Sequence, residues 1–207
     1  MIKIGLFGRD TGHVAPWRTL DDPRPLRGGV AVASCTPALS LWARLAKRWY
    51  PELRVHLFHA NSMDALACLE RDEVHAAGVH LYDKSSGACN TPFVRDALPG
   101  RSVALINLGT WDEGFITAAG NPKRIRGAAD IARTDVAIVK RETGAGSRKL
   151  LDDLLQESGI GAADICGYRT IRRSHFDAAR EVHDGNADAR VGIASVVEAY
   201  MSRLAQT

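Results

Sequence analysis

Arg141-Glu142-Thr143-Gly144-Ala145-Gly146-Ser147-Arg148 follows directly on the apolar run Val136-Ala137-Ile138-Val139 and leads into a segment with Leu150, Leu151, Leu154 and Leu155 on one helical face. The apolar run predicts a buried strand, the leucine spacing predicts a helix, and Gly159 ends it. A buried strand that stops at small polar residues and passes into a helix is the basic joint of an α/β protein. The same joint stands earlier in the chain. Val30-Ala31-Val32-Ala33 runs into Ser34-Cys35-Thr36-Pro37, then into a helix carrying Leu39, Trp42, Leu45, Ala46 and Trp49. Pro37 falls in its first turn, where a missing N–H costs nothing, and Pro51 stops it.

Outward from these joints the alternation continues. Strands are expected at Leu53–His59, Val74–Leu81, Val103–Leu108, Phe115–Ala118, near Ile165–Tyr168 and at Ala189–Ala194. Helices are expected behind the cap Ser62, at Phe93–Leu98, before Ile131, from Ser174, and at the end with Val196, Val197, Tyr200, Met201 and Leu204. A short strand at Ile2–Phe7 precedes a stretch rich in proline, glycine and charge up to Gly29. The pattern predicts an α/β fold with mostly parallel sheets flanked by helices.

Composition sets limits. The 207 residues carry a net charge of +3, 45% hydrophobic and 25% charged residues, which suits a soluble globular chain and calls for no nucleic-acid partner. No run reaches the roughly 18 apolar residues of a membrane helix, and the first residues lack the shape of a signal peptide. The expected location is therefore the cytoplasm. Cys35, Cys68, Cys89 and Cys166 form no CxxC pair and are expected as free, mostly buried thiols. The seven histidines show no metal spacing, so no metal site is expected.

The two joints share one chemistry. A helix N-terminus leaves backbone N–H groups unpaired and carries partial positive charge. Hydroxyls beside it, and glycines that let a ligand approach, suit an oxyanion. Ser34 with Thr36, and Gly144 to Arg148, stand as candidate ligand clusters beside their reading as caps, and the second is richer than helix capping requires. Gly146-Ser147-Arg148 lacks the Gly-Lys-Ser/Thr of a P-loop, and Gly144-x-Gly146 lacks the acidic partner of a dinucleotide site. Ser62 and Ser174, by contrast, read first as ordinary caps.

Several stretches together resemble a known family. They are Ala33 to Leu41, Asn61 to Leu66, Ala76 to Leu81, Asn90 to Val94, Gly120 to Lys123, Arg141 to Arg148, Gly185 to Asp188 and Val191 to Ile193. In this order they resemble the periplasmic-binding-protein-like domain found in cytoplasmic proteins. That domain is associated with molybdate-responsive helix-turn-helix regulators and molybdopterin biosynthesis proteins, and is distantly similar to molybdate- and tungstate-binding proteins. The resemblance implies a two-lobed type II fold: residues 1–28 as N-terminal strand and linker, 29–106 as lobe one, 107–118 as crossover, and 119–207 as lobe two with a terminal helix. It implies that Ser34, Cys35, Thr36 and Ser62 line lobe one, that Arg141, Gly146, Ser147 and Arg148 line lobe two, and that His80, Tyr168, Ser174 and His175 lie near the cleft. Family members continue with a further strand and a return to lobe one; that return segment is absent before Thr207.

The expected function is a cytoplasmic, sensor-type domain that holds an oxyanion such as molybdate or tungstate, or an anionic metabolite, between two lobes. Thr143 joins the ligand set as part of the second joint. No cofactor and no catalytic residue are expected. A homodimer, or a separate DNA-binding or enzyme partner, fits the absent return segment; direct contact with nucleic acid or membrane does not. Two alternatives stand beside this reading. One is an enzyme on the same fold with Cys35 as nucleophile and His59, His80 or His175 as candidate base. The other is an interaction domain without a ligand.

Overall fold

A computed structural model describes residues 2–5 and 29–196. The chain divides into two compact units, one of Lys3–Gly109 and one of Thr110–Thr207 with Met1–Ile2. The division falls after Gly109.

β1 (Ile2–Gly5) pairs with β7 (Asn107–Trp111). In the first unit a parallel sheet has β2 (Val30–Ala33) at its centre, with β3 (Val55–Phe58) on one side and β4 (Ala76–Ala77) on the other. Parallel neighbours need crossover helices. Here these are α1 (Pro37–Trp49) and α2 (Ser62–Glu70). A hairpin of β5 (Tyr82–Asp83) and β6 (Ala88–Cys89) follows, then α3 (Thr91–Ala97). The core gathers Ala33, Leu66, Val79, Leu81, Val94 and Leu98. The expected strand at Val103–Leu108 forms four residues later, as β7.

In the second unit β8 (Glu113–Thr117) runs antiparallel to β11 (Ala189–Ile193). The segment 136–141, ending in β9 (Lys140–Arg141), lies between β11 and the stretch that ends in β10 (Ile171–Arg172). Both contacts of that segment are parallel. The helices are α4 (Ala128–Ile131), α5 (Gly146–Glu157) and α6 (His175–His183). Ile131, Val136, Ile138, Leu151, Leu155 and Val191 form the core. The α/β class with mostly parallel sheets is what the structure shows; the antiparallel β8–β11 pair is its main exception. Most of the expected terminal helix, and residues 6–28, lie outside the described residues.

Of the apolar positions that recur along α1, Leu39 is buried, while Trp42, Leu45 and Trp49 are 39%, 47% and 76% exposed. Two expectations need correction. Asn61, not Ser62, caps α2, accepting from Met63 N and Asp64 N, while Ser62 is the first helical residue and points inward. Of the four free cysteines only Cys35 is buried; Cys166 is exposed and the other two are half-buried.

Candidate functional site

The carboxyl ends of β2 and β4 lie side by side in the first unit, because β4 is the parallel neighbour of β2. Ser34, Cys35 and Thr36 leave β2 and enter α1; Gly78, Val79 and His80 leave β4. Gly78 must be glycine, since a Cβ there would overlap the Ser34 side chain and stand 2.6 Å from Leu39 Cδ1. Ser34 Oγ accepts the Thr36 N–H at 3.1 Å. Thr36 is the N-cap of α1 but makes no side-chain cap bond, and its buried Oγ1 has no hydrogen-bond partner. The Cys35 Sγ lies within 4.8 Å of a ring nitrogen of His80. Ser62 and His80 are both buried. Ser62 Oγ accepts the His80 backbone N–H at 3.2 Å and lies 3.4 Å from the His80 Nδ1.

In the second unit β9 ends in Lys140 and Arg141, and Gly146 and Ser147 open α5. Ser147 is buried and its Oγ makes no hydrogen bond. Thr143 is exposed. Arg141 has a fully buried side chain whose Nε and Nη2 donate to the Glu142 carboxylate at 2.8 and 2.9 Å. Arg148 donates through Nε to Asp152 at 2.8 Å and through Nη2 to the Tyr168 hydroxyl at 3.0 Å. Tyr168 donates in turn to Asp152 at 2.8 Å, and Lys140 Nζ stands 3.1 Å over its ring. Burial first, and then the nearby Arg148 charge, push the Lys140 amine down to about 8. The charges of Arg141 and Arg148 are thus already matched by carboxylates one and four residues on.

Ser174 acts as an N-cap: its Oγ accepts the Asp177 N–H at 2.9 Å and donates to the Asp177 carboxylate. His175 opens α6 in the buried interior, with its carbonyl accepting from Arg190 and its Nδ1 3.3 Å from Arg190 Nη2. Arg190 itself is 1% exposed and fits only because a Cβ at Gly192 would occupy the space of its guanidinium. Arg190 and Arg141 also act electrostatically on Glu113, whose carboxylate oxygens are buried. Sequence spacing gave no sign of this group, because a strand flanked on both sides can bury a charge at any position.

The architecture is that of an α/β protein that divides into two compact units, and the comparisons place its fold. Residues 43–202 match the PBP superfamily domain. The chain belongs to this family. A curated relative, the uncharacterized protein YvgK of Bacillus subtilis (strain 168), is 37% identical over 134 residues. That match covers 65% of this chain and 44% of YvgK, so the chain spans less than half the length of that relative. Among solved structures, an ancestral arginine-binding protein bound to arginine superposes with a TM-score of 0.54 at 14% identity, over 86% of this chain and 75% of that one. The effector binding domain of QuiR in complex with shikimate gives 0.55 at 14% identity, over 83% and 77%. At such identities these two establish the fold alone.

Proposed function

We propose that this chain is a small-ligand-binding domain whose ligand is an anion, either an oxyanion such as molybdate or tungstate or an anionic metabolite. One observation carries the reading. Thr36 Oγ1 and Ser147 Oγ are buried hydroxyls with no hydrogen-bond partner, each at the N-terminus of a helix of 13 or 12 residues. A buried hydroxyl without a partner costs about 1–3 kcal/mol. An anion that accepts from it removes that cost, and the helix N–H groups and dipole add to the attraction. Because Arg141 and Arg148 are held by Glu142 and Asp152, hydroxyls and helix N-termini carry the anion instead of a free guanidinium.

The solved neighbours support the small-ligand class: one is bound to arginine and the other is in complex with shikimate, and both ligands carry a carboxylate. The QuiR neighbour is an effector binding domain, which supports a sensor-type role. The role proposed here is cytoplasmic, for a chain that works with a second copy or with a separate DNA-binding or enzyme partner. Thermal-shift measurements with molybdate, tungstate, sulfate, phosphate, arginine and shikimate at equal ionic strength test the reading. A ligand at about 100 times its Kd stabilises by about 2.7 kcal/mol. In a chain of this size that raises Tm by roughly 5–10 °C. Ser147→Ala is expected to reduce the rise without unfolding the protein, and the exposed Arg180→Ala to leave it unchanged. If none of these, nor pterin-like and nucleotide anions, shifts Tm beyond the effect of added salt, the reading fails.

A further inference from the structure

We propose that the exposed side of α1 and the outer edge of β3 form one docking surface, and that its partner is a second copy of this chain. All of it lies within the first unit. At helical spacing the apolar residues of α1 occupy about half of the helix surface, whereas an arc of about 100° suffices to face a core. Leu39 takes the inner part, against Val32 of β2. Leu41, Trp42, Leu45 and Trp49 share the outer part, a stripe with no charge in it. Arg44, Lys47 and Arg48 fall outside the stripe and make its rim. Since α1 packs on β3, the stripe adjoins the edge strand, where Leu57 and Phe58 are exposed on opposite faces.

The surface has the area and composition that a dimer needs from each partner. These six side chains are between 39% and 76% exposed. With about 150–250 Å2 for an aromatic side chain, they leave on the order of 600 Å2 of apolar surface accessible, the upper end for one patch on a monomer. A standard interface takes about 800 Å2 from each partner, and somewhat over half of that is apolar. Interface centres are poor in charge and rich in Trp, with a polar rim around them. The edge of β3 adds direction. Among the described residues this strand is bonded on one side, to β2. The Arg54 and Phe58 carbonyls accept from Val30 N and Ser34 N at 2.7 and 2.9 Å, and Ala60 N donates to the Ser34 carbonyl. Strand alternation turns the N–H and C=O groups of Val55 and Leu57 the other way. Such an edge pairs with an identical edge run antiparallel, and the two-fold axis then sets both copies of α1 on one face of the joined sheet. A lipid surface fits the stripe but not the edge, because unpaired backbone groups find no partner in hydrocarbon.

Analytical ultracentrifugation of the full chain over a dilution series tests this. The expected Kd is on the order of ten micromolar, the weak end for such an area, because both rims are positive. The mass should double across that range. Well below it the monomer prevails, and losses from single substitutions along α1 are then those of the monomer. Leu45→Glu combined with Trp49→Glu should raise Kd at least about 100-fold, with the fold checked by circular dichroism. Ile171→Glu, at an exposed apolar position of the second unit, should leave Kd unchanged. A further readout needs no variant: in the unaltered protein, amide exchange at Val55 and Leu57 should slow as concentration rises. A single-chain mass well above that Kd, a dimer that persists in the folded double variant, or exchange at both amides that ignores concentration overturns the proposal. So does a chain that stays single and binds vesicles of phosphatidylglycerol and phosphatidylcholine, since the stripe then faces lipid. Failure of the anion panel leaves the proposal standing, because neither Thr36 Oγ1 nor Ser147 Oγ belongs to this surface.

Discussion

Arg190 shows what one residue can hide. Nothing in Ala189-Arg190-Val191-Gly192-Ile193 marks the arginine as a buried one. In the structure all five residues of β11 are buried, and the Arg190 guanidinium donates to the carbonyls of His175 and Val191. Burial pulls it down to about 10, with the Arg141 charge adding to the effect. Arg190→Ala is expected to cost on the order of 3–5 kcal/mol in urea unfolding, because it strips a buried network of its donor. Gly192→Ala should destabilise for the same reason, by displacing the guanidinium; a change below about 0.5 kcal/mol in both would contradict this account. Glu113 adds a pH dependence. Burial raises its carboxyl from 4.5 to about 7, against the opposing pull of Arg190 and Arg141. The folded protein therefore holds this proton more tightly than the unfolded chain. The contribution is fully present below pH 4.5 and is lost as pH rises through 7. Between acid and mildly alkaline pH the wild type should lose on the order of 2–3 kcal/mol relative to Glu113→Gln, measured by denaturant unfolding at each pH. Parallel pH curves for the two proteins would contradict it.

At the scale of elements, α1 was legible as a helix, but not in what covers it. Its apolar positions recur at helical spacing, Pro37 starts it and Pro51 stops it, and the structure keeps all three features. Spacing reports which residues share a side, not whether anything covers that side. Leu39 lies against Val32 in the core, while Leu45 and Trp49 stay exposed. Leu39→Ala is expected to cost about 2–5 kcal/mol and Leu45→Ala less than about 1 kcal/mol, a contrast that chemical unfolding of the two variants measures within one helix. Equal losses would mean that the face carrying Leu45 is covered in solution. The joints that open α1 and α5 were legible for a physical reason: a helix start, hydroxyls and glycine are local features. What those hydroxyls bond to is not local. Nothing in Ser62 alone shows that it turns toward His80 while Asn61 takes over the cap. Nor does the sequence show that Glu142 and Asp152 match the two arginines.

For the whole molecule, alternating strands and helices were enough to place the chain in the α/β class, and the order of its motifs was enough to suggest the family. The separation into units was suggested only by resemblance, since no composition shift marks Gly109–Thr110. Candidate ligand residues divide along the same line. Thr36 and Ser147 came from local chemistry. Cys35 beside His80 depends on which strands become neighbours, and that is decided by packing. The central claim is that the helix N-termini at Thr36 and at Ser147 each offer an anion a buried, unpartnered hydroxyl. Backbone amide NMR during titration of the isotopically labelled full chain with the anion that gives the largest thermal shift tests it most directly. The expected result is saturable movement of the amide signals of residues 36, 38 and 39 and of residues 146–149, reduced at the second group in Ser147→Ala. Signals that stay fixed in both helix starts, or that drift linearly with ionic strength across the whole surface, would contradict the account.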